Sequence, residues 1–163
     1  MIKSNYRFLF YGLVGLAFGV FDWFYLNALA HFSWGSLRNS FLVVPIILLL
    51  NYGIWLVPVV PIGIYESNRD SSTILSPAAC SLTWVCAMVG YYGYYALLFV
   101  QGKLPMLENM RLRGINDIAF WQENWNLFKR VIIDQFFEWT LIAIVCGSII
   151  GAVLFKIARR KRV

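Results

Sequence analysis

The feature that most constrains this chain is the apolar run from Gly12 to His31, which carries one acid, Asp22, in its interior. In a helix, at about 100° per residue, Gly15, Gly19 and Asp22 fall on one face. A face of small residues is where one membrane helix approaches another closely. The acid is therefore predicted to point into protein rather than into lipid.

The composition of the chain indicates a membrane protein. Of its 163 residues, 60% are hydrophobic and 13% are charged, whereas a soluble domain has about 45–50% apolar and about 25% charged residues. A soluble chain of this size could not cover so much apolar surface, and lipid removes the need to cover it. Aromatic residues make up 18% of the sequence, which suits side chains at membrane–water boundaries.

Four apolar stretches have the length that a membrane-spanning helix needs, which is about 20 residues for a hydrocarbon core about 30 Å thick. They occupy residues 8–30, 41–64, 78–100 and 131–155. The sequence therefore predicts a single domain over residues 1–163, an all-α bundle of four antiparallel transmembrane helices. A cleaved signal peptide is the alternative for the first stretch, since Ala28-Leu29-Ala30 resembles a cleavage site, although the run is long for one.

The connections between these stretches carry their own signals. Glu66 to Thr73 reads as a polar loop, and Ser76-Pro77 as a helix start with Ser as the cap. Pro58 and Pro61 are expected to kink the second span. Between spans three and four, apolar residues at helical spacing over 116–130 predict an amphipathic helix, lying either in the membrane interface or over the mouth of the bundle.

Charge sets the predicted orientation. The net charge is +6, and five of the fourteen cations lie in the tail, residues 156–163. A basic tail after an apolar span is typical of a cytoplasmic anchor near anionic lipid headgroups, and nucleic-acid binding is the less favoured alternative. With both termini cytoplasmic, eight cations lie inside and six outside. We therefore expect a plasma or inner membrane protein with both termini in the cytoplasm.

A second glycine face occurs in the fourth span, where Gly147 and Gly151 form a G-x-x-x-G motif. Such a motif is typical of close helix contact within membranes. We expect spans one and four to pack against each other through Gly15 and Gly19 on one side and Gly147 and Gly151 on the other.

Counting residues along antiparallel spans places several polar groups at comparable depth. Asp22, the tyrosines of the Tyr91–Tyr95 cluster and Glu138 share one half of the membrane, and Asn51 is near the middle of span two. Acids inside a membrane are expensive and are functional candidates by default. The predicted polar site comprises Asp22, Asn51, Tyr91, Tyr94, Tyr95 and Glu138.

Each of these residues also has a purely structural interpretation. Asp22 could lock two helices together as a protonated or tyrosine-bonded acid, instead of binding a cation or carrying a proton. Glu138 continues a polar ridge from Arg130 through Asp134 at the entrance of its span. The tyrosine cluster is either an aromatic girdle at the membrane boundary or the wall of a pocket.

No pattern for catalysis, a metal or a cofactor is present. Motifs such as G-x-S-x-G, H-E-x-x-H and the P-loop do not occur, and the chain has one histidine. The three cysteines lie in apolar runs and form no C-x-x-C, so neither a disulfide framework nor a zinc site is expected.

Two functional classes follow from these observations. The first is a small transporter, or the membrane component of one, that handles a cation or small polar solute through the Asp22 half. The second is a non-catalytic accessory subunit of a larger membrane complex. The intramembrane acid favours the first, and the small size and the lack of a nucleotide motif favour the second. A homo-oligomer is expected with the first class and a stoichiometric partner with the second.

The predicted topology is tested by labelling single cysteines introduced at Ser36, at Ser71 and in the tail. Four antiparallel spans place Ser71 and the tail on one side of the membrane and Ser36 on the other. An impermeant thiol reagent added to intact cells should therefore react with only one of these two groups. Labelling of Ser36 and Ser71 from the same side would contradict the topology.

Overall fold

The computed structural model describes residues 2–36, 46, 49–50, 52–69, 72–101 and 118–160. Every element in these ranges is helical, in the order α1 (Ile2–Ser36), α2 (Leu56–Arg69), α3 (Leu75–Val100), α4 (Ile118–Phe128) and α5 (Gln135–Arg160). A π-helical turn, Lys129–Asp134, joins α4 to α5. The predicted all-α class is therefore confirmed at this level.

Three helical segments are long and apolar enough to cross a membrane: Tyr6–Leu29, Leu75–Val100 and Asn124–Arg160. They contain most of the first, third and fourth predicted spans. Part of the predicted second span, residues 41–64, lies outside the described residues, and its last residues form the first part of α2.

Large apolar side chains on the outer faces of α1 and α5 are exposed. They include Leu9, Leu13, Phe21, Phe137, Leu141 and Ile149, each more than half exposed. A continuous exposed apolar surface is unfavourable in water and favourable against lipid. The described part of the chain is thus suited to a membrane.

Helix α3 is the centre of the packing, because α1, α2 and α5 all lie against it. Gly15 lies at Thr83, and Gly19, one turn later, lies at Ala87. Since both numbers increase together, α1 and α3 run in the same direction. Gly147 lies at Ser81 and Gly151 lies at Pro77, so α5 runs opposite to α3.

The glycines allow direct contact between helix backbones. A methyl group on Gly19 would collide with the carbonyl oxygen of Ala87 and lie 2.7 Å from the backbone nitrogen of Tyr91. A methyl group on Gly147 would lie 2.8 Å from the Cα of Ser81. Any residue other than glycine at either position would force the helices apart.

The predicted pairing of spans one and four through their glycines is therefore wrong. The atoms nearest to Gly15, Gly19, Gly147 and Gly151 belong to α3. The sequence showed which faces are small, but both faces are complementary to α3, which presents small residues such as Ala87 and Gly90 on one side and Ser81 on the other.

Serine hydroxyls tie α2 and α5 to α3 close to the start of α3. Ser76 Oγ lies 3.1 Å from the carbonyl oxygens of both Gly63 and Gly151, and it accepts a 3.0 Å hydrogen bond from Ser67. Hydroxyl contacts between helices add about 0.6 kcal/mol each on average in a membrane protein. The buried side chain of Ser76 thus contacts both neighbouring helices, α2 and α5.

Several predicted boundaries differ from the structure. Helix α2 continues to Arg69, so Glu66 belongs to a helix and not to a polar loop. Helix α3 starts at Leu75 with Ile74 in the cap position, because Ser76 is used between helices instead. Pro58 lies in the first turn of α2, where its missing N–H has no helical partner to lose, and Pro61 alone interrupts the helix interior.

The amphipathic helix predicted over 116–130 overlaps α4, which continues into α5 without a break. Residues 118–160 are helical throughout, with the π-helical turn near the predicted boundary at Arg130. A π-helical turn keeps the chain helical while inserting an extra residue. The described part of the amphipathic segment and the predicted fourth span therefore lie in one continuous helix.

We expect Gly19→Ala to destabilise the protein by about 1–3 kcal/mol, the usual cost of overpacking. The matched control is Gly93→Ala in α3, because nothing lies within 4 Å of a methyl group there. The control should be neutral or gain up to about 1 kcal/mol from the helix preference of alanine. Thermal unfolding of both variants in detergent measures the difference, and equal effects would show that the glycine contact is unimportant.

Candidate functional site

Asp22 lies on the single buried stripe of α1. Among the described side chains of this helix, the buried residues are Tyr11, Gly15, Gly19 and Asp22, spaced at helical intervals. Asp22 is 0% exposed. Its burial agrees with the expectation that the small-residue face withdraws it from lipid.

Neither carboxyl oxygen of Asp22 has a hydrogen-bond partner within the part of the chain that the structure describes. The tyrosine-bonded acid of the structural interpretation is therefore not seen, because none of Tyr91, Tyr94 and Tyr95 donates to Asp22. Asp22 lies near Tyr91 of α3 without a hydrogen bond to it. A buried polar group without a partner costs about 1–3 kcal/mol, and a buried charge costs more.

A cavity of about 150 Å³ lies in the same half of the protein. Leu26, one turn after Asp22 on α1, contributes to its wall, and so does Tyr91 from α3. The other lining residues are mostly aromatic and come from three segments of the chain: Tyr52, Trp55, Met88, Tyr92, Gln135 and Trp139.

The rings around this cavity contact one another and hold its shape. The ring centroids of Trp55 and Tyr91 are 6.3 Å apart, and those of Tyr91 and Tyr92 are 5.0 Å apart, both nearly edge to face. Tyr52 stacks on Trp139 at 5.7 Å. Aromatic pairs in these arrangements contribute about 0.5–1.5 kcal/mol beyond their burial. The cavity is thus walled mainly by aromatic rings.

The structure separates the predicted tyrosines. Tyr91 lines the cavity, and Tyr95 packs edge-on against it at 6.3 Å. Tyr94 faces α1 instead, where its ring lies 5.3 Å from that of Trp23. These positions agree with a pocket wall for Tyr91 and with helix packing for Tyr94.

The remaining predicted site residues have different positions. Glu138 is exposed, as are Arg130 and Asp134, which agrees with a polar ridge. Glu138 nevertheless lies close enough to interact electrostatically with Tyr92. Asn51 falls outside the described residues. Among the described residues, no three His, Cys, Asp or Glu side chains come together as a metal site requires.

Several lining residues were missed by the sequence analysis. Tyr52 follows Asn51 directly, and Trp55 is one helical turn after Asn51. Counting depth along the second span could therefore have included both residues. Trp139 neighbours Glu138, but its direction depends on the π-helical turn before α5, which the sequence does not reveal. Gln135 is the first residue after that turn and lines the cavity.

A second buried acid was also missed. Glu66 on α2 is 1% exposed and accepts hydrogen bonds from Arg7 at 3.0 and 3.2 Å and from the hydroxyl of Tyr11. Arg7 and Tyr11 are one turn apart on α1, so they reach the same carboxylate. A helical spacing links Val59, Ile62 and Glu66. This pattern could have extended the predicted helix beyond residue 64.

The two acids lie towards opposite ends of the packed helices. Antiparallel contact between α1 and the segment that includes α2 pairs Arg7 with Glu66 at one end, and Phe18 with Trp55 further along. Asp22 lies beyond Phe18, on the side of the cavity. One end therefore has a hydrogen-bonded ion pair, and the other has an acid without a hydrogen-bond partner among the described residues, near an aromatic cavity.

The fold and this site define an all-helical protein with helices suited to a membrane and a buried polar site in each half. Comparison of the chain with protein-family models, with curated proteins and with solved structures finds no match. The geometry of the site is therefore the basis for inferring a function.

We expect Glu66→Gln to lower the free energy of unfolding, because it leaves the Arg7 guanidinium without its counter-charge. Breaking a fully buried pair costs about 3–5 kcal/mol. The loss here should be nearer 2 kcal/mol, since Arg7 keeps 20% of its side-chain surface exposed.

A double-mutant cycle with Arg7→Met checks this assignment by chemical or thermal unfolding in detergent. The two changes together should cost less than the sum of the single changes, because neither charge is then left alone. Arg69→Met is the control, since Arg69 is exposed, donates to the exposed Tyr65 among the described residues, and should change stability little. Strict additivity would argue against the ion pair.

Proposed function

We propose that the chain is an integral membrane protein of four antiparallel spans in a single domain, in the plasma or inner membrane with both termini cytoplasmic. The opposite directions of α3 and α5, and the common direction of α1 and α3, support this arrangement. The second span would comprise residues 41–64 and include the first part of α2. Exposed Lys156, Arg159 and Arg160 at the end of α5 would meet anionic lipid headgroups at the cytoplasmic surface.

Within this framework, we infer that the protein is a small transporter, or the membrane component of one, that handles a cation or small polar solute. The observation that carries the inference is the fully buried Asp22, which has no hydrogen-bond partner among the described residues and lies one helical turn before Leu26, a residue that lines a cavity. A positive or strongly polar ligand would supply what the carboxyl lacks. Tyr91 would bring the acid and the cavity into one site.

The alternative proposal is an accessory subunit that packs against a larger membrane complex. The broad exposed apolar faces of α1 and α5 would suit a partner as well as lipid. In this case Asp22 would have a partner on the other subunit or none, and no solute would cross. The sequence contains no nucleotide motif, so energy for transport would have to come from an ion gradient or from a partner.

Substitution of Asp22 by Asn tests the transport proposal. The amide keeps the shape and hydrogen-bonding capacity of the side chain but carries no charge. Uptake of Na⁺, K⁺, protons and tetramethylammonium into proteoliposomes should be detectable for at least one cation, and Asp22→Asn should abolish it while the protein still inserts and folds. Asp134→Asn, which changes an exposed acid on the π-helical turn, should leave uptake unchanged.

Native purification distinguishes the two classes. A stable homo-oligomer with Asp22-dependent uptake supports transport. A stoichiometric partner, together with no uptake of any tested cation, supports the accessory role. If the Asn variant folds and retains full uptake or full assembly, Asp22 is a packing residue and the polar-site proposal fails.

A further inference from the structure

We propose that the aromatic cavity binds a small organic ammonium ion, one whose charge is spread over alkyl groups. This inference rests on the proposed function and names its substrate class. It is carried by the lining of the cavity, by its volume and by the two acids beside it.

The lining selects the chemistry of the cation. Tyr52, Trp55, Tyr91, Tyr92 and Trp139 surround the cavity, and no carboxylate is among its described lining residues. Inorganic cations such as Ca²⁺ and Mg²⁺ take about six or more oxygen ligands, which this wall does not offer. Ring faces attract cations through their quadrupole, and aromatic cages of this kind recognise alkylated ammonium groups.

The volume limits the size of the ligand. A cavity of about 150 Å³ holds a molecule of roughly the size of benzene. Tetramethylammonium and choline are close to this size, whereas a drug-sized ligand needs a pocket of about 300 Å³ or more.

The charges near the cavity favour a cation over a neutral molecule of the same shape. Asp22 on α1 precedes the lining residue Leu26 by one helical turn, and Glu138 on α5 directly precedes the lining residue Trp139. The described lining residues include no cation. An ammonium ion would therefore experience attraction from both sides, and a neutral isostere would not.

The test measures binding to the full-length protein in nanodiscs by quenching of tryptophan fluorescence. The probes are choline and neohexyl alcohol, in which a carbon atom replaces the choline nitrogen. We expect choline to bind at least about tenfold more tightly than the neutral alcohol. Equal affinities would show an apolar cavity without selectivity for charge and would overturn the inference.

Variants at the partly exposed rings test the cavity without endangering the fold. Tyr52→Leu and Trp139→Leu should each weaken choline binding about fivefold, the size of one cation–π contact. Tyr52→Phe keeps the ring and should stay within about twofold of the parent protein. Trp125→Leu is the control, because Trp125 is exposed on α4 and outside the cavity, and it should have no effect.

Failure of this inference can be distinguished from failure of the proposed function. If choline does not bind but uptake of Na⁺, K⁺ or protons depends on Asp22, the substrate class is wrong and the transport proposal stands. If choline binding survives both leucine substitutions, the ligand lies elsewhere and the cavity assignment is wrong. If no cation binds or crosses at all, both proposals fail together.

Discussion

The rest of the structure depends on how closely α1 and α5 approach the backbone of α3. Gly19 and Gly147 leave no room for a side chain between the helices. On α1 the next buried position after Gly19 is Asp22, three residues later on the same stripe. The contact that joins α1 to α3 therefore also turns the acid inward and covers it. The burial of Asp22 follows from the geometry of the glycine face and does not require a bond to the acid itself.

The two buried acids among the described residues differ in what balances the free-energy cost of their burial. Glu66 receives hydrogen bonds from Arg7 and Tyr11, so its burial is explained by groups that the structure describes. Asp22 has no such donor in the described residues. Removing a charge from water costs several kcal/mol unless a counter-charge and hydrogen bonds replace the water. A structural role is thus sufficient to explain the burial of Glu66. For Asp22, no described residue supplies the hydrogen bonds or the counter-charge that would offset the cost of burial.

The sequence predicts the class of the fold and the burial of Asp22 because both follow from local periodicity and composition. It does not predict which helix meets the glycine faces, since a small face on α1 is compatible with any other small face and the complement on α3 is visible only in three dimensions. The Glu66 ion pair was missed because charged residues after a proline-containing run resemble a loop. Trp139 could not be assigned to the cavity because the π-helical turn changes the facing of the residues that follow it.

The magnitudes favour treating the acid and the cavity as one site. An acid at the centre of a membrane helix costs about 2.5–3.5 kcal/mol on insertion scales. Aromatic pairs around the cavity stabilise its wall but donate nothing to Asp22, so they cannot offset that cost. A desolvated cation–π contact is worth about 2 kcal/mol, and several rings and a nearby carboxylate would act on the same cation. A bound cation therefore offers a stabilisation of the same order as the cost, whereas packing alone would be served as well by a neutral side chain at position 22.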